Sequence, residues 1–205
     1  MSQSLTQRLV QAAQQEMART LADLCSEIGA AESSIMLPEG DKDLVFFAST
    51  NPSLLQPGAP KTPINASYSG IAYRTGQTMA VADAADQARH FKAVDELVKY
   101  RTHEFAAIPL TDRAILGVLT LVNRADGAGG TRPFSLPELR RAEAVAAEVA
   151  NALARFPGVR AGERREDDPI HAFDAEFVSD LERLREPERR VARSLVRALL
   201  QNRAS

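Results

Sequence analysis

Cysteine is almost absent from this sequence. Its 205 residues include a single cysteine, Cys25, which excludes an intramolecular disulfide and any site built from several cysteines. No apolar run is long enough to cross a bilayer, and the first residues, Met-Ser-Gln-Ser, lack the apolar core of a signal peptide. We therefore expect a cytoplasmic protein that does not contact a membrane.

An excess of charge of one sign is also lacking. The formal net charge is −2, which argues against attraction of the whole surface to nucleic acid. The sequence has no glycine-rich phosphate loop, no nucleophile elbow and no helix with paired histidines. His90 and His103 lie among several carboxylates, but no motif supplies a third ligand. We expect no nucleic-acid partner, no metal and no cofactor.

The first long pattern is helical. Between Ser4 and Ile28, apolar residues recur in steps of three or four, which predicts an amphipathic helix that ends at Gly29. Cys25 lies next to Leu24 on the apolar stripe. No neighbouring cation is evident, so Cys25 has the features of a small buried hydrophobe and not of a reactive thiol.

A second long helix is predicted from Leu136 to Phe156. Ser135 and Glu138 have the spacing of a capping box, and small residues on the helix allow close packing. Since the apolar stripes of both long helices are narrow, we expect them to meet a second copy of the chain in a homodimer. The expected interface residues are Leu9, Met17, Leu21, Leu24, Val145, Val149 and Leu153.

Between these helices the pattern alternates between strands and short helices. Ser67 is a candidate N-cap and Gly76 a candidate left-handed terminator of one short helix, and a further helix is predicted over 91–100. The predicted strands share β-branched or alternating apolar residues; they are 32–37, 44–50, 78–82, 105–110 and 114–122.

Several short sequence pieces, in this order and spacing, resemble a GAF domain over roughly Leu5 to Phe156. The pieces are Ser69 to Ala72, Thr75-Gly76, Val81 to Asp83, Arg89 to Phe91, Ile108 to Leu110, Ile115 to Asn123, and Phe134-Ser135. The resemblance implies an α+β fold, in which a central antiparallel sheet carries helices on both faces. The implied organisation is a GAF domain at 1–156, a linker at 157–168 and a C-terminal helical extension at 169–205.

The resemblance also implies a small-molecule pocket under the loop and helix between the third and fourth strands. Asp83 has an alternative role there, as a carboxylate that caps the loop after a strand. The apolar and small polar lining candidates are Phe47, Ser49, Ile71, Phe91, Val94, Tyr100 and Thr102, and the charged candidates are Asp83, Arg101 and His103.

Some GAF domains that bind cyclic nucleotides carry Asn and Lys after the fifth strand, then Phe, then Asp-Glu. The matching residues here are Asn123, Arg124, Phe134, Glu138 and Leu139. The lysine is replaced by arginine and the last acidic residue is lost. An ion pair between Arg124 and Glu138 would replace the usual lysine–carboxylate bridge, although the two cations differ in geometry. Cyclic-nucleotide binding stays open on this pattern.

The extension carries apolar stripes on two short helices that are separated by Pro187. Two such helices are too small to form a core alone, so they must pack on the GAF domain, on a second protomer or on a partner. We expect them to bind a partner protein. The candidate residues are Phe177, Leu181, Val191, Arg193, Leu195, Arg197 and Leu199.

Three classes of function remain. The first is a non-catalytic regulatory or adaptor protein that docks a partner. The second is a small-molecule sensor, for cyclic nucleotides among other ligands, whose signalling output is a separate polypeptide. The third, an enzyme that reduces free methionine sulfoxide, fits poorly, because such reductases use several pocket cysteines and this chain has only Cys25. We expect no catalysis.

Overall fold

The computed structural model describes residues 5–84, 92–98, 101–154, 183–189 and 191–192. The side chains of residues 5–9, Leu9 among them, lie outside this description. The helices are α1 (Leu5–Ile28), α2 (Tyr68–Thr75), α3 (Lys92–Val98) and α4 (Leu136–Ala154), with a short 3-10 helix at Pro52–Leu55. The strands are β1 (Ala30–Glu39), β2 (Asp43–Ser49), β3 (Thr62–Pro63), β4 (Met79–Val81), β5 (Phe105–Thr111) and β6 (Ile115–Arg124).

The strands form one antiparallel six-stranded sheet in the order β3-β2-β1-β6-β5-β4. The central strands β1 and β6 are the longest, with ten residues each. Tight connections join β1 to β2, where Gly40 has a positive φ of 64°, and β5 to β6. The α+β fold with a central antiparallel sheet, expected from the resemblance, is confirmed.

Each face of the sheet is covered by helices. On one face, α1 and α4 enclose a large core that includes Leu21, Leu153 and Leu121, which are all fully buried. We call this the α1/α4 face. On the other face, α2, α3 and the 3-10 helix cover a smaller cluster around Met36 and Phe46. The strand residues alternate between the two faces, as the pleat requires.

The termini of α2 follow from two residues. The Ser67 hydroxyl accepts a hydrogen bond from the Gly70 backbone N–H at 3.0 Å, and Gly76 ends the helix in the left-handed conformation with φ 67°. Gly70 also permits a close approach, because a Cβ there would lie 2.0 Å from the carbonyl oxygen of Ile64. A glycine at that position therefore lets α2 sit directly on the segment after β3.

A β-bulge in the outer hairpin decides which side chains reach which face. Ile35 pairs with Ala48, but the next residue, Met36, pairs with Phe46, so Phe47 is the extra residue of β2. As a result Phe47 and Ala48 both belong to the core of the α1/α4 face. Phe46 belongs to the opposite cluster. A bulge of this kind interrupts the period of two.

The residues expected at a dimer interface lie inside the chain's own core. Met17, Leu21, Leu24, Val145, Val149 and Leu153 are each at most 7% exposed and pack in the α1/α4 core. The expected interface is therefore wrong for these six residues. The stripes are narrow because each helix presents only one side to the sheet, and that contact already uses them.

The described part of the extension also packs on this core. Residues 186–189 and 191–192 are helical, and Val191 and Ala192 are fully buried in the α1/α4 core. The Gln14 amide donates to the Glu188 carboxylate at 3.4 Å, which ties the segment to α1. Val191 is therefore a core residue and not a docking residue. The candidates Phe177, Leu181, Arg193, Leu195, Arg197 and Leu199, and the linker 157–168, lie outside the described residues.

Candidate ligand-binding cavity

A cavity lies between the sheet and the layer formed by α2, α3 and the 3-10 helix. Its floor comes from β1, β2, β5 and β6, and its cover comes from α2 and α3. The described lining residues are Glu32, Ser34, Met36, Phe46, Leu54, Thr62, Ser67, Tyr68, Ser69, Val94, Asp95, Val98, Thr102, Phe105, Thr120 and Val122. The cavity therefore lies on the face opposite α1 and α4.

The cavity is small. It offers about 60 Å³ for the centres of water-sized groups, and one such group needs about 10–15 Å³. It therefore has room for about four to six water-sized groups.

Several hydroxyl groups line the cavity, and some have protein partners. The Ser67 hydroxyl donates to the Pro63 carbonyl at 2.7 Å, in addition to its capping role. The Ser34 hydroxyl lies 2.8 Å from that of Ser49. These two lining hydroxyls are thus already engaged by the fold.

Two other lining hydroxyls have no such partner. Ser69 and Thr62 are each 4% exposed as whole residues. No hydrogen bond joins either hydroxyl to another described residue, and neither oxygen is fully enclosed by protein atoms. A hydroxyl that lacks a protein partner is satisfied by water or by a ligand. Both hydroxyls face a space that can hold such a group.

Two carboxylates line the cavity, one in the floor and one in the cover. In the floor, Glu32 accepts a hydrogen bond from the Asn51 amide at 2.9 Å. In the cover, Asp95 accepts from the Thr102 backbone N–H at 2.9 Å and from its hydroxyl at 2.6 Å. These contacts fix both acidic side chains in position.

The segment before β5 is held by one residue of β6. The Asn123 side-chain oxygen accepts from the backbone N–H groups of His103 and Glu104 at 2.7 and 3.1 Å, and its amide donates to the Arg101 carbonyl at 3.0 Å. Asn123 adopts a left-handed conformation with φ 50°, which asparagine tolerates better than most residues. This geometry leaves Thr102 as the residue of the segment that reaches the cavity.

The structure brings together only part of the predicted pocket. Val94 and Thr102 line the cavity. Arg101, His103 and Asp83 are exposed and do not line it. Arg101 and His103 are the two neighbours of Thr102. Because neighbouring side chains in this segment alternate in direction, they face away from the cavity when Thr102 faces it. Asp83 lies in a surface turn with φ 51°.

The other predicted lining residues lie elsewhere. Phe47 is displaced to the α1/α4 face by the bulge. Ser49 is buried and lies opposite Ser34 on the neighbouring strand, where the two hydroxyls meet, but it is not among the lining residues. Ile71 is half-buried on α2 outside the lining. Phe91 and Tyr100 lie outside the described residues.

Sequence reasoning missed most of the cavity floor. The missed floor residues include Glu32, Ser34, Thr120 and Val122 of the central strands. A signal for them exists, because serine, threonine and glutamate interrupt otherwise apolar strands that are buried on both faces. Such interruptions mark positions where a strand faces a polar space.

The residues that match the cyclic-nucleotide pattern surround the start of α4 and not the cavity. Arg124 donates to Glu138 at 2.8 Å, and Arg132 donates to the same oxygen at 2.8 Å. The backbone N–H and the hydroxyl of Ser135 donate to the other oxygen, each at 2.8 Å. The predicted ion pair is thus present. In the capping box the Ser135 hydroxyl donates to the carboxylate.

This arrangement changes the acidity of Glu138. Burial alone would raise its pKa, but the Ser135 N–H, the Arg124 guanidinium, the Ser135 hydroxyl and Arg132 together lower the pKa to about 2. Phe134, next to this cluster, is buried in the α1/α4 core. The cluster therefore fastens α4 to the end of β6.

Cys25 lies on α1, in the core on the face opposite the cavity. Burial and the negative charge of Glu32 raise the pKa of its thiol to about 11. A thiol of this kind stays protonated at neutral pH and is a poor nucleophile. Its position agrees with the expected role of a small buried hydrophobe.

Two further classes of site have no counterpart in the ranges described above. Among those residues, no group of three or more histidine, cysteine, aspartate or glutamate side chains could hold a metal ion. None of the helices described here combines the length and apolar character needed to span a bilayer.

Comparison with known proteins gives the fold and the family. The chain is similar to the GAF domain of a phosphoenolpyruvate-protein phosphotransferase from Coxiella burnetii, with 17% identity, a TM-score of 0.57, and coverage of 74% of this chain and 94% of that one. A GAF domain/HD domain protein from Geobacter sulfurreducens matches with 15% identity, a TM-score of 0.57, and coverage of 74% and 97%.

A type II free methionine-R-sulfoxide reductase from Thermoplasma acidophilum matches with 11% identity and a TM-score of 0.55, covering 70% of this chain and 93% of that one. At these identities the likeness concerns the fold alone. A search of curated protein sequences finds no match. The GAF domain model matches residues 11–154, which is more than half of the chain, and the protein therefore belongs to the GAF domain family of signalling and ligand-binding domains.

Proposed function

We propose that this protein is a non-catalytic sensor, in which the cavity under α2 and α3 binds a small molecule. The observation that carries the proposal is a pair of hydroxyls on the buried residues Ser69 and Thr62, which line the cavity and have no hydrogen-bond partner among the described residues. A closed structural core would pair such groups or replace them with apolar ones.

The covering helix gives a route from ligand to signal. Asp95 lies on α3 and accepts a hydrogen bond from the Thr102 hydroxyl. Asn123 donates to the carbonyl of the preceding residue, Arg101. A ligand that contacts Asp95 would therefore change the free energy of the segment that leads into β5. We propose that a signalling partner reads this change at the protein surface.

Catalysis by a cysteine is disfavoured by geometry. Cys25 lies in the α1/α4 core, so a reactant in the cavity has the sheet between itself and the thiol. The raised pKa of the Cys25 thiol also argues against catalysis, because it keeps the thiol protonated at neutral pH. These two observations support a sensor over a reductase of the kind found in the Thermoplasma acidophilum protein.

The homodimer stays a prediction, with a changed interface. The inner stripes of α1 and α4 are used within the chain, so we propose that a dimer uses the outer faces, where Ala147 of α4 is exposed. Light scattering of the wild type should then give twice the chain mass, and Ala147→Arg should give a single chain mass. A wild-type monomer at high concentration would remove the dimer from the proposal.

The sensor proposal is tested by closing the cavity. Ser69→Met extends a side chain of α2 into the space, while Ile71→Met adds the same side chain on the same helix outside the lining. A metabolite screen by thermal shift should identify a ligand that stabilises the wild type and Ile71→Met but not Ser69→Met. At a hundredfold excess over the Kd, the ligand should add about 2.7 kcal/mol of stability. Equal stabilisation of all three chains would place the ligand elsewhere and reject the proposal.

A further inference from the structure

We propose that the cavity takes a small neutral molecule with an apolar body and one hydrogen-bonding end, such as a short branched alcohol, and that the hydroxyls of Thr62 and Ser69 bind that end. This inference rests on the proposed function of the cavity as a ligand site. It adds the chemical class of the ligand and the residues that recognise it.

The serine and threonine hydroxyls of the lining divide into two groups. Most have partners within the protein; they belong to Ser34, Ser67, Thr102 and Thr120. The hydroxyls of Thr62 and Ser69 form no hydrogen bond with another described residue, and neither oxygen is fully enclosed by protein atoms. Since a hydroxyl can both donate and accept, these two are suited to bind a polar group of a ligand.

The two hydroxyls lie on the same side of the cavity. The Ser67 hydroxyl donates to the Pro63 carbonyl at 2.7 Å, so the start of α2 contacts the end of β3. Thr62 directly precedes Pro63, and Ser69 lies in the first turn of α2, which Ser67 caps. A single polar end of a ligand can therefore serve both hydroxyls, for example by donating to one and accepting from the other.

The carboxylates of the lining are already engaged by the fold. Glu32 accepts from the Asn51 amide at 2.9 Å, and Asp95 accepts from the backbone N–H and the hydroxyl of Thr102. Both carboxylates also make further interactions in the chain. A ligand is therefore not needed to neutralise them.

A charged ligand has little to gain in this space. An ion that leaves water recovers its lost hydration only where an opposite charge or several hydrogen bonds replace it. The described lining contains no lysine, arginine or histidine that would hold an anion, and the acceptors that would hold a cation are bonded within the protein. The cost of desolvation is much smaller for a neutral hydroxyl.

Apolar side chains form much of the lining and limit the size of the ligand. They belong to the cluster on this face of the sheet and include Met36, Phe46, Leu54, Val94, Val98 and Phe105. Together with room for about four to six water-sized groups, they favour a short branched chain behind the polar end. Isobutanol has this size and shape.

The test compares isobutanol, ethanol, isobutylamine and isobutyrate on the full chain by backbone amide NMR at neutral pH. We expect isobutanol to shift the resonances of Tyr68 and Thr102, which both line the cavity, with a Kd on the order of millimolar. Ethanol has a shorter apolar chain and should bind about tenfold more weakly. Isobutylamine is a cation and isobutyrate an anion at this pH, and each should bind more weakly than isobutanol by about tenfold or more.

Variants remove the two hydroxyls one at a time. Thr62→Val and Ser69→Ala should both fold, because valine suits a strand and alanine suits a helix. Each should weaken isobutanol binding by about threefold to tenfold, since each removes one neutral hydrogen bond. Thr111→Val and Ser53→Ala are the matched controls: they make the same changes at exposed positions outside the lining and should bind like the wild type.

The outcomes distinguish this inference from the proposed function. Binding of isobutylamine or isobutyrate at the cavity, as tight as that of isobutanol, would overturn the neutral class and leave the cavity as a ligand site. Isobutanol binding that persists in Ser69→Met, or that is unchanged in both Thr62→Val and Ser69→Ala, would overturn the assigned role of the hydroxyls. If none of the four compounds shifts Tyr68 or Thr102, the inference is rejected, and the metabolite screen alone then decides the sensor proposal.

Discussion

Replacing Glu138 tests the reasoning about the junction between β6 and α4. Glutamine has nearly the shape of a protonated glutamate, so Glu138→Gln measures the value of the charge. The pKa of Glu138 is about 2 in the folded chain, against an ordinary value of 4.5. Each pKa unit corresponds to about 1.4 kcal/mol, so the charge contributes about 3 kcal/mol to stability at pH 7. We expect the variant to lose that amount.

The assay is urea unfolding followed by far-ultraviolet circular dichroism, since the chain contains no tryptophan. In thermal unfolding followed by the same signal, a loss of about 3 kcal/mol should lower the melting temperature by about 6–12 °C in a chain of this size. Glu148→Gln is the matched control, because it removes the same charge from an exposed position on the same helix. It should change stability by less than about 0.5 kcal/mol.

The pH dependence gives a sharper test. A carboxyl whose folded pKa is lowered stabilises the fold above its unfolded pKa and loses that effect as the pH falls toward its folded pKa. The difference between wild type and Glu138→Gln should therefore be constant from pH 5 to 7 and should narrow from about pH 4.5 toward pH 2. An equal difference at pH 3.5 and pH 7, or one below about 1 kcal/mol at pH 7, would refute the assignment.

Three further predictions concern burial. Burial and the charge of Asp83 raise the pKa of Glu104, so ionisation of this carboxyl lowers the stability of the wild type as the pH rises above about 4.5. Glu104→Gln should therefore raise stability at pH 7 but not below about pH 4.5, and urea titrations at both pH values check this. Gly70→Ala should lower stability by about 1–3 kcal/mol, since the new Cβ would lie 2.0 Å from the carbonyl oxygen of Ile64, and an unchanged urea midpoint would contradict that contact. Val191→Ala should lower stability by about 2 kcal/mol because Val191 is fully buried; unchanged stability would return it to a docking role.

The sequence predicted features that depend on near neighbours. The caps of α2 follow from Ser67 and Gly76, whose side chain or φ acts within the same few residues. The ion pair of Arg124 with Glu138 followed from a family resemblance, which carries information on distant contacts. The caps were predictable because each acts within a few residues of the helix end, and the ion pair was predictable because the family pattern contains both of its residues.

The cavity was harder to predict because its walls come from distant parts of the chain. Whether Phe46 or Phe47 faces the cavity depends on one extra residue in the pairing of β1 with β2, and residue types alone do not reveal a bulge. Likewise, Asn123 selects Thr102 over its neighbours through an amide that reaches about twenty residues back along the chain. Contacts of this kind depend on register, which a period of two does not fix.

The contact of Gln14 with Glu188 has a consequence for the order of events during synthesis. These residues are separated by 174 positions, and Val10 shares the core with Val191 and Ala192. Ribosomes add about 5–20 residues per second, so the start of α1 waits roughly ten seconds or more for its last packing partners. During that interval the apolar residues at the start of α1 are accessible to chaperones, although α1 is made before the sheet on which it packs.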